Sequence, residues 1–216
     1  MPTVINEIEA RVLGSLVEKQ LTTPEYYPLT LNALTAACNQ KSNRDPVMSL
    51  GETEILAAID SLRDKNLVYL YYGSSSRAVK YKHMLPKVLE LDEPAVAVMT
   101  LLLLRGAQTV GELRGRSDRL FEFGSLPEVQ ETLDTLADRD EPLVVRLERQ
   151  PGQKESRYAH LLSGPAEPTP VVREQVQTSA AVSGNKIEDL EKEIARLSDE
   201  VSELRSQFNE FQKQFE

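Results

Sequence analysis

Apolar residues recur in steps of three and four along the first stretch of the chain: Val4, Ile5, Ile8, Val12 and Leu16. That spacing predicts an amphipathic helix over 4–19. Thr22, Thr23 and Pro24 break it. Leu31, Leu34 and Cys38 then repeat at helical spacing, with Thr30 placed to cap a second helix. Asn43-Arg44-Asp45-Pro46 has the chemistry of a loop. Ile55, Ile59 and Leu62 mark a third helix. The aromatic and β-branched run 67–72 (LVYLYY) predicts a strand, Gly73-Ser74-Ser75-Ser76 a turn, and 77–85 a return strand. Three helices followed by a hairpin are the order of a winged helix, a helix-turn-helix with a β-hairpin wing.

The pattern then runs a second time. An apolar helix over 94–106 precedes a short helix at 109–117, a third at 126–140, and strands at 143–149 and 155–162 around the turn Gly152-Gln153-Lys154. Thr30-Leu31-Asn32-Ala33-Leu34 matches Thr109-Val110-Gly111-Glu112-Leu113. Ile59-Asp60-Ser61-Leu62 matches Leu133-Asp134-Thr135-Leu136, and Tyr81 to Leu85 matches Tyr158 to Leu162. The offsets, 79, 74 and 77, drift only as loop lengths would. Collinear matches at a near-constant period point to a duplication. The expected fold class is mainly α with small β-hairpins (α+β): winged-helix domains over 1–88 and 89–163, a flexible Pro/Ser/Thr/Gly-rich linker over 164–185, and a coiled coil over 186–216.

The coiled coil is the most regular pattern. Ile187, Leu190, Ile194, Leu197, Val201, Leu204, Phe208, Phe211 and Phe215 alternate steps of three and four. β-Branched residues at a with Leu at d favour a parallel homodimer, while the terminal Phe cluster leaves a trimer, an antiparallel pair or a helix folded back on the body open.

Composition narrows the classes. Hydrophobic residues make up 40% and charged residues 27%, which suits a globular core. No apolar run reaches the ~20 residues of a membrane span. The start lacks the basic and apolar regions of a signal peptide, and Cys38 stands alone, so a cytoplasmic location without membrane partners is expected. The net charge of -9 argues against indiscriminate nucleic-acid binding. Residues 1–90 are neutral, with 10 Lys/Arg against 10 Asp/Glu, so they alone could present a basic surface without opposing their own field.

The strings LTLNALTAACNQKSNRDPVM and TVGELRGRS, with the two hairpins, resemble the YceH-like family of uncharacterised bacterial proteins over about residues 3–163. The resemblance implies paired winged-helix domains, often with a coiled-coil tail, and no assigned activity.

A winged helix binds duplex DNA by default, its third helix in the major groove and its wing along the backbone. Candidate contacts are Lys41, Asn43 and Arg44 before the third helix, and Arg77, Lys80 and Lys82 on the wing; the bland alternative is ordinary solvated charge. Glu52, Glu54, Asp60 and Asp64 make the third helix a poor reader, and the acidic second repeat a poorer one. His83 and His160 fall at matching wing ends with too few partners for a metal, and Cys38 reads as a small buried hydrophobe. Tyr26 and Tyr27 are either an interface anchor or, preferably, rest on the core. Nucleotide-loop, zinc-protease and serine-hydrolase motifs are absent. The expectation is a non-catalytic, cofactor-free, metal-free DNA-binding or transcription-related regulator acting as a homodimer, with a protein-interaction adaptor as the alternative.

Overall fold

The computed structural model describes residues 4–72, 78–149, 153 and 155–164. The heptad segment 186–216, all but the first residue of the linker, Arg77 and the first wing turn lie outside the described residues.

The chain is α+β. α1 (Glu7–Thr22) is followed by a 3-10 turn (Pro24–Tyr26), β1 (Leu29–Thr30), α2 (Leu31–Cys38), α3 (Glu52–Asp64), β2 (Val68–Tyr71) and β3 (Lys80–His83). After the short α4 (Leu85–Val88) come α5 (Glu93–Arg105), α6 (Val110–Ser117), α7 (Leu126–Ala137), β4 (Val144–Arg146) and β5 (Tyr158–His160). Three helices and an antiparallel hairpin therefore occur twice in the same order.

Caps set the helix starts. Asn6 caps α1: its side chain accepts from Glu9 N at 2.9 Å while Glu9 accepts from Asn6 N at 2.7 Å. This closed box starts the helix three residues after Val4. Thr30 caps α2 and Thr109 caps α6, as their spacing predicts.

The strand registers correspond. Val68 pairs with His83 and Leu70 with Tyr81; Val144 pairs with His160 and Arg146 with Tyr158. On the far side of the return strand, Leu29 faces Tyr81 and Gln108 faces Tyr158. β1, β3 and β2 thus form a three-stranded sheet in that order. β1 is too short to read from sequence, because two residues show no alternation.

α1 departs from the surface helix its pattern suggests. It is buried from Glu9 to Glu18, packed against α2 and α3 and also against α5. The charged ends of its buried Glu9, Arg11 and Glu18 are partnered, as the cost of desolvation requires, while Arg11 Nε and Ser15 Oγ have no hydrogen-bond partner. Glu9 receives Lys65 Nζ at 2.7 Å. Arg11 donates to the carbonyls of Cys38 and Pro46 at 3.2 and 2.6 Å.

A single hydrophobic cluster runs through both halves of this part of the chain, from Leu13, Leu16, Ile59 and Leu62 to Leu102, Leu113, Leu133 and Leu136. Two backbone bonds also cross between them: Ile5 N to Leu162 O at 2.7 Å, and Asp45 N to Leu104 O at 3.0 Å.

Candidate nucleic-acid interface

The first hairpin builds the site. In an antiparallel pair, residues directly opposite share a face. Tyr69 lies opposite Lys82, and Tyr71 opposite Lys80, which is also opposite Thr30 of β1. One face of the sheet therefore carries Tyr69, Tyr71, Lys80, Lys82 and Thr30. The other carries Leu29, Val68, Leu70, Tyr81 and His83 and turns to the core, with Val68 at 1% and His83 at 4% exposure. Tyr69 and Tyr71 stand 48% and 47% exposed, and Tyr72 beyond them 70%.

Lys82 is exposed and Lys80 half-buried, and neither forms an ion pair among the described residues. The strands contribute no carboxylate to this sheet. The Tyr69 hydroxyl donates to Asn66 Oδ1 at 3.2 Å, which holds that ring at the base of the hairpin.

The loop before α3 is sorted differently from its sequence. Lys41 is exposed and Asn43 half-buried with φ +58°. Arg44 is not a surface cation. Its side chain is fully buried, with Nη2 2.6 Å from Glu18 Oε2 and further bonds to the Ala37 carbonyl at 2.9 and 3.2 Å. Its charge is spent on α1 and α2, so it cannot reach a phosphate, and it leaves the set of candidate contacts. Lys41 and Asn43 remain on the α2–α3 loop while Lys80 and Lys82 join the tyrosine face. The tyrosines were legible as a strand but not as a site; the signal was the alternation of Tyr69 and Tyr71 with Val68 and Leu70.

On α3, Glu52, Glu54, Asp60 and Asp64 are exposed, and Arg63 is held by Asp60 at 3.0 Å. In the second hairpin, Val145, Ala159 and Leu147 occupy the register positions that Tyr69, Lys82 and Tyr71 have in the first. That face is partly covered: Leu147 and Ala159 line a cleft of about 360 Å³ with Ala10, Arg11 and Pro46 of the first repeat. Arg157, at the position of Lys80, is bound by Glu112 at 2.9 Å.

A family model described as "Protein of unknown function, DUF480" matches residues 5–153. The UPF0502 protein of Geotalea daltonii is 52% identical over 221 aligned positions, covering 100% of both chains. That of Geotalea uraniireducens is 51% identical over 98% of each, and that of Opitutus terrae 54% identical over 77% of this chain and 75% of its own. The chain belongs to the UPF0502 family. This is the uncharacterised bacterial family that its sequence resembles.

Of the other candidate groups of this UPF0502 chain, Cys38 and His83 are interior and His160 is half-buried. Burial pushes the Cys38 thiol up to about 11, against the smaller opposing pull of Ser15, Arg44 and Arg11. Burial also holds His83 down to about 4, helped by Lys82, and His160 to about 4. Both ring nitrogens of the buried His83 and Nδ1 of the half-buried His160 lack a hydrogen-bond partner, and both imidazoles are held in the neutral form. Tyr27 rests on the core: its ring lies 5.8 Å from that of His83 and its hydroxyl accepts from His83 N at 2.7 Å, while Tyr26 is 71% exposed. Among the described residues no group of three His, Cys, Asp or Glu is placed to hold a metal, and no helix is long and apolar enough to cross a membrane.

Proposed function

We propose that this UPF0502 chain is a non-catalytic, cytoplasmic nucleic-acid-binding regulator made of two winged-helix repeats and acting as a homodimer through its 187–215 heptads. The matching caps at Thr30 and Thr109 and the matching strand registers support the duplication. One observation carries the function: the outward sheet face that joins Lys80 and Lys82 to Tyr69 and Tyr71 without a carboxylate on the strands. With Arg44 internal and α3 acidic, contact falls on the hairpin and not on the third helix. Few phosphate contacts on a chain of net charge -9 imply modest, strongly salt-dependent affinity.

A mobility shift with short DNA at about 50 mM salt tests this, since phosphate contacts are strongest there. Lys80→Glu with Lys82→Glu abolishes the expected shift. Absence of any shift from the unaltered chain at that salt refutes the reading.

The exposed acids of α3 favour a second reading, a protein-docking adaptor whose coiled coil adds avidity. It predicts capture of one defined protein, weakened by removing 186–216, with no DNA shift.

A further inference from the structure

The first hairpin offers more than charge. Duplex DNA is held mainly through phosphates, for which lysines suffice and aromatic rings add little. Unpaired strands are held differently: a cationic track follows the backbone while bases stack on aromatic side chains. RNA-binding sheets use the same device, with aromatics on alternate strand positions beneath splayed bases.

The face described above has that composition. Tyr69 and Tyr71 are alternate residues on one strand, about 7 Å apart, and each is half exposed. Each has a lysine directly opposite, Lys82 and Lys80. β1 widens the sheet to three strands and brings Thr30, a hydroxyl donor, beside Lys80. Tyr69 is steadied by Asn66.

The second repeat supplies an internal contrast. The positions of Tyr69, Tyr71 and Lys82 are held there by Val145, Leu147 and Ala159; all three are half-buried, and Leu147 and Ala159 lie in the cleft against Ala10, Arg11 and Pro46. The half-buried face is aliphatic apart from Arg157, whose charge Glu112 meets; the free face is aromatic and its lysines have no ion pair among the described residues. Burial alone explains the first set. It does not explain two tyrosines side by side in solvent on one face, because a contiguous exposed aromatic patch marks a binding surface.

We infer that the sheet face of Tyr69, Tyr71, Lys80 and Lys82 binds single-stranded nucleic acid in preference to duplex, with bases stacked on the two tyrosines and phosphates on the two lysines. This rests on the nucleic-acid reading above and narrows its ligand to an unpaired strand.

The test is fluorescence anisotropy of the full chain at low salt with labelled oligothymidylate of about 15 nucleotides, oligouridylate of the same length, and a duplex of that length. The expected result is tighter binding to a single strand than to the duplex; the two homopolymers tell DNA from RNA, and a preference for either strand supports the site. Tyr69→Ala and Tyr71→Ala each weaken single-strand binding roughly tenfold, whereas Tyr69→Phe and Tyr71→Phe retain it. Lys80→Gln with Lys82→Gln lowers the slope of log affinity against log salt by about 1.4. Equal or tighter binding to duplex, indifferent to the tyrosines, overturns this inference and leaves the broader reading intact. Polyglutamate competing as well as oligothymidylate, with no effect of the alanine variants, overturns it in favour of a merely cationic protein surface. No binding to any of the three nucleic acids overturns both.

Discussion

Gly14 of α1 meets Leu104 of α5 with no room for a side chain: a Cβ at Gly14 would lie 2.9 Å from both Cγ and Cδ2 of Leu104. The two helices open the two three-helix-and-hairpin runs, so this contact sets how closely those first helices approach. Leu104 is 1% exposed and has little freedom to move aside.

Gly14→Ala is therefore expected to destabilise the fold despite the better helix propensity of Ala. Overpacking of about 1–3 kcal/mol exceeds the gain of up to about 1 kcal/mol. Gly115→Ala on α6, where a Cβ meets nothing within 4 Å, is expected to stabilise by a few tenths to about 1 kcal/mol. Urea denaturation of both variants checks the opposite signs.

Arg44→Ala leaves Glu18 as a buried carboxylate without its main partner. A loss of about 3–5 kcal/mol follows, whereas Lys41→Ala on the same loop changes stability by less than about 0.5 kcal/mol. Thermal melts distinguish the two. Replacing both members, with Glu18→Leu and Arg44→Met, restores much of the loss, since apolar pairs of similar volume substitute well for buried ion pairs.

The two neutral histidines make stability depend on pH above the carboxylate range. Their folded pKa values, about 4, lie below the ordinary 6.5. Between these values the unfolded chain binds more protons than the folded one, so unfolding free energy rises with pH there. The stabilisation is complete above pH 6.5 and is lost as pH falls from 6.5 towards 4, by up to roughly 3 kcal/mol for each imidazole. Urea titrations between pH 7 and 4.5 measure the slope, and His83→Leu is expected to remove about half of it. Below pH 4.5 the carboxylates add to the loss: Glu9, whose burial is outweighed by Lys65, Ser61 and Asn6, and Glu112, whose burial is outweighed by Thr109, Arg157 and Arg116.

Cys38 is 0% exposed and its thiol is raised to about 11. It is expected to resist a disulfide reagent at pH 8 in native buffer and to react fully in denaturant. Fast labelling of the native chain would contradict the packing of α1 on α2.

Sequence and structure agree where the signal is local. Thr30 and Thr109 cap because a hydroxyl at that position meets free amides within three residues. The six main helices follow their apolar spacing. What escaped depends on distance along the chain. Arg44 sits in a run with loop chemistry, and loops usually face water; its partner Glu18 lies 26 residues earlier. α1 looked one-sided because its polar residues were counted as solvated, yet Glu9, Arg11 and Glu18 face partners from α3, the α2–α3 loop and Arg44. Tyr69 and Tyr71 could have been assigned to a face only once their cross-strand neighbours were known, because alternation gives two faces without saying which is wet.

The bond from Ile5 N to Leu162 O brings the residues just before α1 and just after β5 side by side. The described polypeptide is thus nearly a closed ring, and its sequence order is only one of several that could trace the same shape. A circularly permuted chain, with residues 5 and 162 joined by a short bridge and new ends opened between α4 and α5, would keep every helix and both hairpins where they are.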